Sequence, residues 1–145
     1  MTTNKYTKLA ADGSDLPPDA EGHQAVRVSN AMLAHSIIVT AAKAPKEMTF
    51  AQAKKWTESL EVNGWAWRLP TVEEAMFIPD RSKFPAIDKN FFPDFEEYEW
   101  IWTSTVDAED PPSDCAWLVN LRPGYVYRGA QTLRSYVRAV RAGQL

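Results

Sequence analysis

The 145-residue chain holds one cysteine, two histidines and six glycines, and each scarcity removes a class of chemistry. Cys115 has no second cysteine with which to close an intrachain disulfide, and alone it cannot assemble a thiolate zinc site. A reducing, cytoplasmic setting suits such a chain. His23 and His35 lie in the first quarter without metal-ligand spacing, so both are expected to be solvated or structurally bonded. The glycines are scattered singly, which leaves no phosphate-cradling loop. No apolar run approaches the roughly 18 residues that cross a bilayer, and the longest, 36–42, is far shorter. Residues 1–19 are polar and lack the apolar centre of a secretory signal.

What is present is ordinary globular material: 45% hydrophobic and 24% charged residues in a length that suits one core. Six Trp, five Tyr and six Phe exceed what such a core needs, and aromatics are the residues recruited to interfaces. The composition therefore points to recognition. A net charge of −3 is too small to imply direct nucleic-acid binding. Its distribution is uneven: 90–121 has no Lys or Arg but carries Asp94, Glu96, Glu97, Glu99, Asp107, Glu109, Asp110 and Asp114. Beyond it come Arg122, Arg128, Arg134, Arg138 and Arg141 with no side-chain acid among them. Mutual neutralisation of the two blocks is the first expectation, and an acidic contact surface is the second.

Turn chemistry without periodicity predicts a loosely held arm over 1–20 and one domain over 21–145, with order beginning near Gln24. Residues 25–28 and 36–40 are β-branched and read as strands, with Ser29 and Asn30 turning between them. Thr49 and Gln52 have capping-box spacing, and Phe50, Ala53, Trp56 and Leu60 continue it as a helix to about residue 62, before Asn63-Gly64. Pro70-Thr71 with Glu74 repeats the signature for a short second helix, which Pro79 limits. Residues 84–98 predict an aromatic loop, and strands are expected over 100–106, 116–121, 125–128 (after a Pro123-Gly124 turn) and 136–141. The sum is an α+β domain, two helices packed on a twisted antiparallel sheet.

The segment from Gly64 through Trp65, Ala66, Trp67, Arg68, Leu69, Pro70, Thr71 and Val72 to Glu73 and Glu74 resembles the Trp-Arg-Leu-Pro-Thr signature of the Lcl C-terminal domain family. Domains of that family, of largely unknown function, occur in bacterial collagen-like adhesins and phage proteins. Phe92-Pro93, the run Trp100-Ile101-Trp102-Thr103-Ser104-Thr105 and the terminal Val137-Arg138-Ala139-Val140-Arg141 follow in the order the resemblance requires. It implies a C-type-lectin-like fold, similar to that of formylglycine-generating enzymes. Two departures narrow the chemistry it implies. The Glu-Pro-Asn, Gln-Pro-Asp and Trp-Asn-Asp tripeptides of calcium-dependent sugar binding are missing, and so is a redox-active cysteine pair. Calcium-lectin and oxidase chemistry are accordingly not expected.

Within the signature, Trp67 and Leu69 are expected to bury, Arg68 to anchor a loop through several donors and Pro70 to launch the capped helix with Glu74; Arg138 is placed in the same structural set. Neither Ser104 nor Cys115 has an identifiable base beside it or a nucleophile-elbow motif, so no catalytic residue, metal or cofactor is expected. The functional reading is a non-catalytic module that binds a protein partner through loops near 106–115 and 122–132. Trp100, Trp117, Tyr125 and Tyr127 would supply area there, and Asp107, Glu109, Asp110 and Arg122 would supply polar specificity. A narrower version is a phage or mobile-element inhibitor of an intracellular host complex, acting in the host cytoplasm with its acids imitating phosphates. The competing class is a calcium-independent glycan-binding adhesin or receptor-binding protein.

Overall fold

The computed structural model describes residues 4–33, 35–106, 114–122 and 125–143. In chain order the elements are β1 (Lys5–Leu9), β2 (Asp15–Leu16), β3 (Ala25–Ser29), β4 (Ile37–Thr40), α1 (Phe50–Ser59), α2 (Val72–Met76), β5 (Trp100–Val106), β6 (Cys115–Asn120), β7 (Tyr125–Ala130) and β8 (Val140–Ala142). The class is α+β, with the strands divided between two antiparallel sheets. One has five strands in the order β2-β1-β3-β4-β8, the other three in the order β5-β6-β7. The single expected sheet is thus two, because the last strand returns to pair with β4 instead of extending the β5-β6-β7 ladder.

Alternation explains how both sheets are buried. Val26, Val28, Ile37, Val39 and Val140 point from the first sheet into a core shared with Ile101, Val119 and Leu121 of the second, sealed by Ile78, Ile87, Phe92 and Phe95. On the reverse side of the first sheet, Ala25 and Ile38 pack with Leu9, Trp67 and Ala139. The reverse side of the second sheet places Trp102, Ala116 and Leu118 against Met48, Ala53 and Leu69, with Phe50 and Trp56 of α1 beside them. Burying a Val, Leu, Ile or Phe side chain contributes about 1.5–3 kcal/mol, so a core walled on both faces of both sheets is the main source of stability.

Both helices start where the capping boxes place them. Thr49 accepts from the Gln52 backbone while the Gln52 side chain accepts from the Thr49 N–H, and Thr71 and Glu74 do the same for α2. Helix α1 stops at Ser59, earlier than expected, because Leu60 turns to an extended conformation; a 3-10 turn, Val62–Gly64, comes next. Gly64 ends it at φ +68°, a left-handed value that glycine adopts without Cβ strain. Residues 84–98 contain neither helix nor strand, and their buried Phe92 and Phe95 hold them to the core.

The expectation of a loose arm over 1–20 is corrected for residues 5–9. Residues 5–9 form β1, paired along its whole length with β3, and Leu9 is fully buried. Two lysines in five residues hid the strand's alternation, yet Lys8 itself is 2% exposed. The terminal strand is shorter than 136–141, since Val137, Arg138 and Ala139 cross between the sheets and only Val140–Ala142 joins the ladder. Ser29, expected in a turn with Asn30, instead ends β3, where it pairs with Lys5, and β4 begins at Ile37, one residue later than expected. The Pro123-Gly124 turn lies outside the described residues.

Candidate recognition site

The Trp-Arg-Leu-Pro segment is a structural joint. Trp67 and Leu69 are buried, and the Trp67 indole Nε1–H donates to the Val62 carbonyl at 2.9 Å. Arg68 exchanges backbone hydrogen bonds with Val140, and Pro70 accepts from the Ser104 N–H at 2.7 Å, so the segment ties the two sheets together. The Arg68 guanidinium forks onto Glu74 at 2.6 and 2.8 Å. It therefore anchors the start of α2 more than a loop: the same carboxylate accepts from the Thr71 N–H. The hydrogen bond to Glu74 holds Arg68 above its ordinary pKa. Burial alone would push Glu74 up, but the Arg68 and Thr71 bonds outweigh it and leave this carboxyl below the usual range.

Arg138 is the second anchor, and it is fully buried. Its guanidinium contacts both oxygens of the equally buried Glu99 at 2.6 and 3.0 Å, Asp94 at 2.8 Å and the Ala41 carbonyl at 2.8 Å. Burial favours loss of its proton, and the Glu99 and Asp94 contacts overcome that, raising its pKa. Asp94 is held low in turn: burial opposes its charge, and Arg138 and Lys43 override that cost.

These contacts decide the acidic block for its first half. Glu96 pairs with Lys43 and accepts from the Tyr136 hydroxyl at 2.6 Å, which pushes Tyr136 up to about 12, and Glu97 pairs with Arg122. Asp94, Glu97 and Glu99 therefore pair with Arg122 and Arg138, as the first expectation had it, while Glu96 pairs with Lys43 from outside the arginine block. Asp107, Glu109 and Asp110 lie outside the described residues.

Six of the exposed large hydrophobics, Tyr98, Val106, Tyr125, Val126, Tyr127 and Leu133, lie on or beside the second sheet, while Met32 and Phe84 are exposed elsewhere. Tyr125, Val126, Tyr127 and Arg128 of β7 are all exposed, Tyr127 at 56%, and among the described residues no strand pairs with the far edge of β7. Beside it lies a cleft of about 350 Å³ lined by Tyr98, Trp100, Leu118, Tyr127, Leu133 and Tyr136, with Glu47, Arg134 and Ser135 completing the wall. Trp100 and Tyr127 form its corner, ring edge to face at 5.5 Å and 66°. Register makes this corner: β6 carries Leu118 opposite Tyr127 and Asn120 opposite Trp100, so the two rings meet diagonally across the sheet.

The structure thus brings together two of the residues expected to bind, Trp100 and Tyr127, with Tyr125 on the same edge strand. It separates the others. Trp117 is half-buried on β6 opposite Arg128, and Arg122 lies at a different cleft, its guanidinium over the exposed Phe84 ring at 5.3 Å and paired with Glu97. Sequence reasoning missed Tyr98, Leu133, Arg134 and Tyr136, whose convergence depends on where 131–136 crosses the sheet end. Among the described residues no three His, Cys, Asp or Glu side chains gather as metal ligands. No described helix is long and apolar enough to cross a membrane.

The Lcl C-terminal domain model matches residues 25–141, and the chain belongs to that family. No curated protein matches it.

Proposed function

We propose that this member of the Lcl C-terminal domain family is a non-catalytic recognition module of C-type-lectin-like design that binds a protein partner at the open end of its second sheet. The observation that carries the reading is the Trp100–Tyr127 corner of an aromatic cleft lying against an unpaired strand edge. An edge strand offers backbone donors and acceptors to an extended segment, and an adjacent pocket takes one of its side chains. A cleft of this size fits one aromatic or large aliphatic residue. Arg134, exposed at the cleft and without a carboxylate partner among the described residues, complements an acidic residue next to that anchor.

Inhibition of an intracellular host complex is one context for such a module. Phosphate imitation is not part of the proposal, because half of the eight acids in 90–121 already pair with Lys43, Arg122 and Arg138. The second reading is calcium-independent glycan binding, favoured by the four rings of Tyr98, Trp100, Tyr127 and Tyr136 around one cleft.

A photo-crosslinking residue at Tyr125 or Leu133, compared with one at Lys55 on the exposed face of α1, tests the site. The expected result is one protein, from the lysate of the source cells, joined at positions 125 and 133 but not at 55. Equal crosslinking at all three positions would refute the placement. Binding to a glycan array that Tyr127→Ala abolishes, with no protein crosslinked, would replace the protein reading with the glycan one.

A further inference from the structure

A second, separate site lies at β1 of the first sheet. Lys8 is 2% exposed, and its Nζ reaches the Ala20 carbonyl and Asn90 Oδ1, the latter at 2.9 Å, and sits 5.7 Å from the Phe91 ring centroid. Among the described residues no carboxylate lies within ion-pair distance of it. A buried cation held by neutral acceptors alone is costly in a fold that elsewhere pairs buried Arg138 with two acids. Lys8 forms part of the wall of a pocket of about 370 Å³, together with Gly22, His23 and Asn90.

His23 is an independent sign of unused polar capacity in the same wall. It is 8% exposed, its Nε2–H donates to the Phe91 carbonyl at 2.6 Å, and its Nδ1 is buried with no partner among the described residues. Buried polar atoms are nearly always satisfied, so an orphan in the wall that also holds an uncompensated cation marks incomplete polar pairing at this pocket.

We propose that this pocket binds a small monocarboxylate, whose oxygens supply the counter-charge that Lys8 lacks. Buried Lys8 and exposed Lys89 share the pocket with exposed Glu21, which leaves one net positive charge to match one negative charge. The volume lies in the range of small-molecule pockets. The site is independent of the aromatic cleft, and its failure would leave that reading untouched.

The test is a nuclear magnetic resonance titration of the intact protein with sodium acetate, with sodium chloride and sodium phosphate at matched ionic strength as controls. Acetate should shift the backbone amides of Gly22, His23 and Asn90 in a saturable way, and Lys8→Met should weaken it about tenfold, the loss of one charge-assisted hydrogen bond. Because Lys8→Met can disturb packing, Asn90→Asp serves as the second variant. It sets a carboxylate on Lys8 from within the chain, and should abolish the acetate response while raising the melting temperature. Shifts that chloride reproduces, a response to phosphate but not acetate, or acetate binding unchanged in Asn90→Asp would each overturn the proposal.

Discussion

The two sheets use the same residue types to opposite ends. Where the last strand returns to the first sheet, arginine is sealed: Arg138 has no exposed surface and is matched by Glu99, Asp94 and a backbone carbonyl. At the far end of the second sheet arginine and aromatics are left open, with Arg134, Tyr125 and Tyr127 exposed beside a cleft. Residue type alone therefore does not separate anchor from contact. What separates them is whether the fold has already supplied partners, and of these two regions the open end is the one left exposed.

Breaking the sealed side should have the largest effect. Arg138→Ala leaves Glu99 buried and unpaired, and removal of one partner of a buried pair costs about 3–5 kcal/mol, so a denaturant melt should show a large loss or no folded protein. Replacing Arg138 and Glu99 together by Met and Leu should recover much of that stability, since apolar replacements of similar volume are often neutral.

Arg68→Ala tests the joint at the start of α2. Its guanidinium is about half exposed, so the fork to Glu74 is discounted for solvent and a loss of about 1 kcal/mol is expected. The loss should appear in a thermal melt and leave partner affinity unchanged.

A smaller effect sharpens the same comparison through pH. The folded-state pKa of Glu74 is depressed, so its contribution is fully present above the ordinary carboxylate range near about 4.3 and is lost as pH falls below it. Glu74→Gln should therefore melt below the parent at neutral pH, and the two curves should converge on acidification. A gap that stays constant down to the acid limit would place the effect in packing, not charge.

The local parts of this architecture were legible and the convergent parts were not. Capping boxes at Thr49 and Thr71, the β-branched runs of β3 and β4 and the burial of Trp67 and Leu69 depend on neighbours a few residues away. Strand β1 was hidden because Lys5 and Lys8 mask its pattern and its partner, β3, supplies the ladder. The division into two sheets depends on which strand β8 rejoins, a contact about 100 residues apart that alternation does not encode. The candidate site was half legible. Aromatic abundance pointed to Trp100 and Tyr127, but Glu47, Tyr98 and Leu133 reach the cleft only through tertiary crossing.

The central claim is that the open end of the second sheet binds while the sealed side only holds. Tyr127→Ala addresses it most directly, measured as a thermal melt and a binding isotherm against the partner crosslinked at position 125. Loss of the Tyr127 edge-to-face contact with Trp100 should cost only about 0.5–1.5 kcal/mol of stability. Loss of an aromatic anchor should weaken binding by about 2 kcal/mol or more, roughly thirtyfold. A variant that melts far below the parent yet binds with unchanged affinity would contradict the account.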